Sequence, residues 1–175
     1  TFKLVFYNVE NYFDTYDDSL TLDDEFTSEG SYAWNSFRYK TKQRNIFKVI
    51  SNIGEWDPPA LICLSEVENE YVLKDLIENT PLKDFNYRVV HKNSPDERGI
   101  DVALLYRESV FQVLQTRNLN ITFPFDSLER TRDILYVKGK LSGPTIHLYI
   151  NHWPSRRGGV TASEKYRMYA ARTLL

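Results

Sequence analysis

The stretch Asp57-Pro58-Pro59-Ala60-Leu61-Ile62-Cys63-Leu64-Ser65-Glu66-Val67-Glu68 decides how the chain reads. Its two prolines force an extended turn, and the largely apolar run over 60–66 reads as a buried strand. That strand ends in a carboxylate. An ionised group is too costly to leave in an apolar core, so Glu66 belongs at a sheet edge. Two further runs end in usable chemistry: Lys3-Leu4-Val5-Phe6-Tyr7 leads into Asn8, and Ile146-His147-Leu148-Tyr149-Ile150 leads into Asn151-His152. In mixed α/β sheets ligands collect beyond the carboxyl ends of strands. If the three strands run parallel, an amide, a carboxylate and an imidazole share one rim.

Outward from that strand, Ile46, Val49, Ile50 and Ile53 recur at helical spacing with Lys40, Lys42, Arg44 and Lys48 elsewhere, predicting a helix over 37–53 closed by Gly54. A second helix is expected from about Glu70 to Glu78, stopped before Pro81, and a third from about Ala162. Strands are expected at 87–90, 101–106, 110–115, 134–140 and 145–150. The connection Lys140–Thr145 is short enough for a hairpin, which places the start of the strand after Arg132 at the same rim as His152. A hairpin between 87–92 and 101–106 sets Arg98, Gly99 and Asp101 near an edge. Helices early and late around a strand-rich middle fit a mixed sheet or sheet pair flanked by helices. The segment from Tyr12 to Trp34 has no sustained period and carries Asp14, Asp17, Asp18, Asp23, Asp24, Glu25 and Glu29, so it reads as a solvated acidic loop. It lacks the spacing of a calcium loop.

A chain of 175 residues fits one domain, 1–175, able to bury roughly 70% of the surface its unfolded form exposes. Aromatics at 14% supply large rigid core pieces, so neither a disulfide nor a structural zinc is needed. The single Cys63 lies inside an apolar run and reads as a buried thiol; one cysteine does not identify a compartment, and localisation stays open. No run approaches the roughly 18 apolar residues of a membrane span. A formal net charge of −2 argues against affinity drawn mainly from phosphate-backbone neutralisation, although local patches depart from the average.

Glu66 suits a hard cation, because Mg²⁺ is held by one or two carboxylates plus waters and phosphate oxygens; the alternative is an exposed strand-end carboxylate or an ion pair to the first helix. His152 suits general acid-base work or phosphate contact, the alternative being a backbone hydrogen bond. It opens the segment Trp153-Pro154-Ser155-Arg156-Arg157-Gly158-Gly159, whose arginines and glycines suit an anionic group. His147 and His91 read as structural. Arg132 could offer its planar fork to a phosphate or pair with Asp133 or Glu129. Asp101 could orient a histidine or pair with Arg98. Asn8 could hydrogen-bond near a metal or phosphate, or close an Asx-turn.

Together these segments resemble the endonuclease/exonuclease/phosphatase superfamily of deoxyribonuclease-I-like, metal-dependent phosphodiesterases and phosphatases. Phe6-Tyr7-Asn8-Val9-Glu10-Asn11 resembles its opening asparagine motif, the 57–68 stretch its metal-carboxylate strand, and Arg98-Gly99-Ile100-Asp101 with the following apolar run its central strand. Thr131-Arg132-Asp133 resembles its phosphate-facing arginine and Asn151-His152 its first catalytic histidine. The resemblance implies Mg²⁺, with Mn²⁺ as a substitute, on Glu66 with Asn8 in support. It also implies Arg132, Arg98 and Asn151 toward phosphate, and His152, Asn8 and Asp101 in the catalytic set. The implied partner is a phosphoester, whether nucleic acid or a small or lipid phosphate. The implied fold is a four-layer α/β sandwich with two mixed sheets. The family's Gly-Asp-x-Asn motif and terminal Asp-His pair do not occur in the 175 residues. The chain is therefore expected to be the N-terminal part of a single such domain, incomplete at its C-terminus and inactive alone. A non-catalytic binding or scaffold protein on the same fold, using the acidic 14–29 loop and the basic 153–157 segment, is the other reading.

Overall fold

The β-strand that follows the double proline is covered on both faces, which is why its sequence is apolar without alternation. In the computed structural model, which describes residues 1–55, 57–156 and 158–175, this strand is β2 (Leu61–Val67). Ile62, Leu64 and Val67 pack toward the helices, and Leu61 and Cys63 toward a second sheet. β2 runs parallel to β1 (Leu4–Tyr12) and antiparallel to β4 (Asp101–Arg107). β3 (Tyr87–His91) pairs antiparallel with β4 and completes a mixed sheet of order β1-β2-β4-β3. The second sheet, β5 (Phe111–Leu119), β6 (Ile134–Leu141) and β7 (Thr145–Ile150), is antiparallel throughout its three strands.

The strand carrying His152 therefore does not lie in the same sheet as those carrying Asn8 and Glu66. The rim they share is made where the ends of two stacked sheets meet. Leu61, Cys63, Val102 and Leu104 face Phe111, Leu135, Val137 and Ile150 across the inter-sheet core. On the other side of the first sheet lie α1 (Ser36–Gly54), through Tyr39, Ile46 and Ile50, and α2 (Glu70–Glu78), through Val72, Leu73 and Leu76. Asn35 caps α1 by accepting from the Phe37 and Arg38 amides, both at 3.1 Å, and Asn69 caps α2 by accepting from Val72 at 3.0 Å. The third helix, α3 (Val160–Arg172), packs Ala170 with Ile121, Phe123 and Ile134. Cys63 is buried, and burial pushes its thiol up to about 12.

The acidic segment is not simply a solvated loop. Phe26 stacks on Phe13 and Tyr32 and meets Trp34 edge-on, with ring centroids 4.1, 4.9 and 5.9 Å apart. The Trp34 indole donates to the Phe13 carbonyl at 3.1 Å. This aromatic packing closes the segment over the end of β1 and buries Asp14 and Asp23. Among the described residues no helix is long and apolar enough to cross a membrane.

Candidate active site

Two bulges shape the rim. Along β1, Asn8 is opposite Ser65 and the next partner pair is Tyr12 with Val67, so residues 9–11 oppose Glu66 alone. Against β4, Ser65 is opposite Val102 and Val67 opposite Asp101, leaving Glu66 as the extra residue. Glu10, Asn11 and Glu66 all take left-handed backbone, with φ of 57°, 62° and 63°. Glutamate has no intrinsic reason to occupy that region, which costs of order 1 kcal/mol or more per residue. Bulges and strained residues of this kind recur beside functional sites because they re-aim a side chain.

Here they re-aim Glu66. Its Oε1 accepts from Asn8 Nδ2 at 3.0 Å and lies 3.1 Å from His152 Nε2, while its Oε2 accepts from the Asn11 amide at 3.1 Å. The structure thus brings Asn8, Glu66 and His152 together. The imidazole contact, with the Asn8 and Asn11 bonds, holds the Glu66 carboxyl down at about 2 despite its partial burial. Asn8 also closes an Asx-turn, its Oδ1 accepting from the Glu10 amide at 2.8 Å. One side chain thus closes the turn and holds the Glu66 carboxylate at once.

A residue missed from sequence joins them. Lys42, on the polar side of α1, donates to the Glu10 carbonyl at 2.9 Å. Burial lowers its pKa against the pull of Glu10 and Glu66. Only the bulge, which turns that carbonyl toward α1, gives Lys42 a place here.

The remaining candidates sit differently. Asp101, at the start of β4 and 3% exposed, faces His91 rather than His152 or Arg98, with 3.1 Å between His91 Nε2 and Asp101 Oδ2. Its other oxygen accepts from the Ser94 amide at 2.9 Å and from the Ser94 hydroxyl. The cause is the hairpin, which sets His91 two residues along from Asp101's position on the neighbouring strand. Arg98 is half-exposed, its Nε 3.5 Å from Asp96. Arg132 pairs with neither Asp133 nor Glu129. It is buried, with Nη1 donating to Asp96 at 2.9 Å and Nη2 to the Trp153 carbonyl at 3.1 Å. Asp133 instead accepts from Asn118 at 3.2 Å and Asn120 at 2.9 Å, and burial raises its pKa. Asn151 donates to the Tyr149 carbonyl at 2.7 Å. His147 contacts the Tyr136 hydroxyl at 2.8 Å on the outer face of the second sheet. Glu68 accepts from the Asp14 amide at 2.6 Å and is buried, not an exposed loop residue. Of the arginine pair following Ser155, Arg157 lies outside the described residues.

Ser65 Oγ, Arg132 Nε, Asp133 Oδ1 and Asn151 Oδ1 are buried and have no hydrogen-bond partner among the described residues. All four come from residues at or beside the strand ends that form this rim. Such atoms cost roughly 1–3 kcal/mol each and call for a reason, of which a polar ligand is one. Among the described residues no group of three or more His, Cys, Asp or Glu side chains could cage an ion. A site for Mg²⁺ does not require one, since a single carboxylate with waters and phosphate oxygens suffices.

No curated protein sequence matches the chain. Among solved structures, humanized D. rerio TDP2 superposes with a TM-score of 0.59 at 15% identity, covering 97% of this chain and 53% of that one. An endonuclease/exonuclease/phosphatase from Bacteroides vulgatus gives 0.57 at 14% identity, covering 96% and 57%. D. rerio TDP2 complexed with a single-strand DNA product gives 0.52 at 15% identity, covering 75% and 46%. The chain thus spans about half the length of the structures it matches, and they share its deoxyribonuclease-I-like fold. With the sequence profile of that group matching residues 3–175, the chain belongs to the Endonuclease/Exonuclease/phosphatase family.

Proposed function

We propose that the protein is a divalent-metal-dependent phosphoester hydrolase whose ion sits on Glu66, supported by Asn8. The observation that carries this reading is the grip on Glu66: a carboxylate on a strained bulge, held by an asparagine and a backbone amide of β1 and by a histidine from beyond β7. Mg²⁺ or Mn²⁺ bound there would neutralise charge developing on the phosphate. Glu66 supplies the negative charge that attracts the ion. Asn8 and the Asn11 amide, one on each oxygen, fix the orientation of the carboxylate. His152, whose Nε2 faces the same oxygen, is placed to hold a proton toward a phosphate oxygen or the leaving group. Orientation of the attacking water falls to the family's Gly-Asp-x-Asn motif and the base side of the reaction to its Asp-His pair, neither of which the 175 residues contain. The chain by itself is therefore expected to give no turnover of bis-p-nitrophenyl phosphate.

For the substrate, the single-strand DNA product on a TDP2 of the same fold favours a nucleic-acid phosphoester. The net charge of −2 disfavours a duplex processor. Smaller and lipid phosphoesters fit the same chemistry. The scaffold reading loses part of its support, because Asp14 and Asp23 are buried rather than presented to a partner.

Thermal unfolding with added Mg²⁺ or Mn²⁺ tests the assignment. At tenfold excess over the dissociation constant the ion should stabilise by about 1.4 kcal/mol, or roughly 3–6 °C in Tm for a chain of this size. Glu66→Gln should abolish the shift. An equal shift in Glu66→Gln would place the ion elsewhere and remove the reading.

A further inference from the structure

Arg132 and Asp96 form a buried ion pair, with 7% and 6% of the two side chains exposed, that the reaction proposed above leaves without a task. Asp96 comes from the β3–β4 connection and is fixed by its own turn. Its Oδ1 accepts from the Arg98 amide at 3.2 Å and its carbonyl from the Gly99 amide at 3.0 Å. Gly99 holds φ +69° there, and a Cβ would come within 2.8 Å of Thr21, so the turn is tied to the packed acidic segment as well. Arg132 enters from the residues before β6 and bridges two elements with its fork: Nη1 to Asp96 and Nη2 to the carbonyl of Trp153. Trp153 follows His152 directly, in a stretch from Asn151 to Arg156 that has no regular secondary structure. The carbonyl bond is thus a long-range restraint on the backbone one residue from the imidazole, and the planar guanidinium fixes its direction as an ammonium would not.

We propose that Asp96 is a positioning residue, acting through Arg132 and the Trp153 carbonyl to hold His152 against Glu66. The inference rests on the proposed role of His152 in phosphoester hydrolysis, but its geometry stands apart from metal binding. Asp96 locks the guanidinium, the guanidinium locks the chain after His152, and the ring then reaches the Glu66 oxygen at 3.1 Å. The arrangement also explains why Arg132 is turned inward. A buried arginine with no acidic partner is strongly unfavourable, so Asp96 and Arg132 are needed together.

The test is a ¹H–¹³C NMR spectrum of the three histidine rings at fixed pH, without metal, in the 175-residue chain and in Asp96→Asn. The amide keeps the size of Asp96 and removes the charge that locks the fork. The His152 Cε1–Hε1 cross-peak should shift or broaden beyond detection, while those of His147 and His91 stay in place. Arg132→Lys is the second variant, for the case in which Asp96→Asn does not fold. It keeps the positive charge but cannot bridge Asp96 and Trp153 as a fork, and it should move the same peak. A folded Asp96→Asn, or failing that a folded Arg132→Lys, with the His152 peak at its wild-type position would reduce the pair to a stabilising contact and overturn the proposal. Because no metal is added, loss of the metal assignment in the thermal experiment and loss of this inference are separate outcomes.

Discussion

Glu66 and Glu68, two residues apart, are held in opposite protonation regimes by what surrounds them. Glu66 is pulled down to about 2 by His152, then Asn8 and the Asn11 amide, so its contribution to stability is present above the ordinary carboxylate pKa and is lost as pH falls toward 2. Glu66→Gln should flatten the acid side of a Tm-versus-pH curve between about pH 4.5 and 2; an unchanged acid limb would mean the three contacts do not form. Glu68 is pushed up to about 8 by burial, with Asp14, Asp23 and Asp18 adding repulsion. The sign is reversed: its contribution is complete below the ordinary carboxylate range and is lost as pH rises through 8. Glu68→Gln keeps an acceptor for the Asp14 amide and removes the buried charge. It should match wild type at pH 5 and gain about 1–3 kcal/mol at pH 8.5 in urea unfolding, whereas a loss at pH 8.5 would contradict the burial argument. Glu66 was legible in the sequence because a carboxylate closing an apolar run has one place to go. Glu68 was not, because its burial comes with long-range contact to the acidic segment, whose Asp14 amide it accepts at 2.6 Å, and that segment read from sequence as solvated.

Among the elements, strands with two buried faces or a hairpin partner were readable, and β2, β3, β4, β6 and β7 lie within a residue or two of their expected bounds. β1 runs on to Tyr12, past the expected end, because the bulge at 9–11 breaks the alternation by which a strand is recognised. The membership of β7 in a second sheet was not readable either, since a run of apolar residues does not say which edge it joins. That second sheet depends on a close approach at Gly139 of β6, where a Cβ would run into the Phe111 ring of β5. Gly139→Ala should therefore cost about 1–3 kcal/mol in denaturant unfolding through overpacking; a neutral result would mean the ring can move aside. A similar long-range dependence joins α1 to α2. Asp75 is buried and takes Tyr39 at 2.8 Å, Lys40 at 3.0 Å and Asn79 at 2.7 Å, together with Gln43.

Across the whole molecule, the site exists only because two sheets stack with their ends in register, one offering Asn8 and Glu66 and the other His152. The sequence implied a common rim on the condition that three strands run parallel and left one sheet or two open, and it showed neither the bulges nor Lys42, which depend on how the layers close. Family membership and fold rest on the whole chain, while the metal and the phosphoester rest on this one junction. Paramagnetic broadening by Mn²⁺ tests that junction most directly. At substoichiometric Mn²⁺ the NMR signals of the Asn8 side-chain amide, the Asn11 backbone amide and the His152 ring should broaden first, with His147 unaffected, and Glu66→Gln should remove the effect. Broadening centred on Asp14 and Glu68, or none at all, would contradict the account.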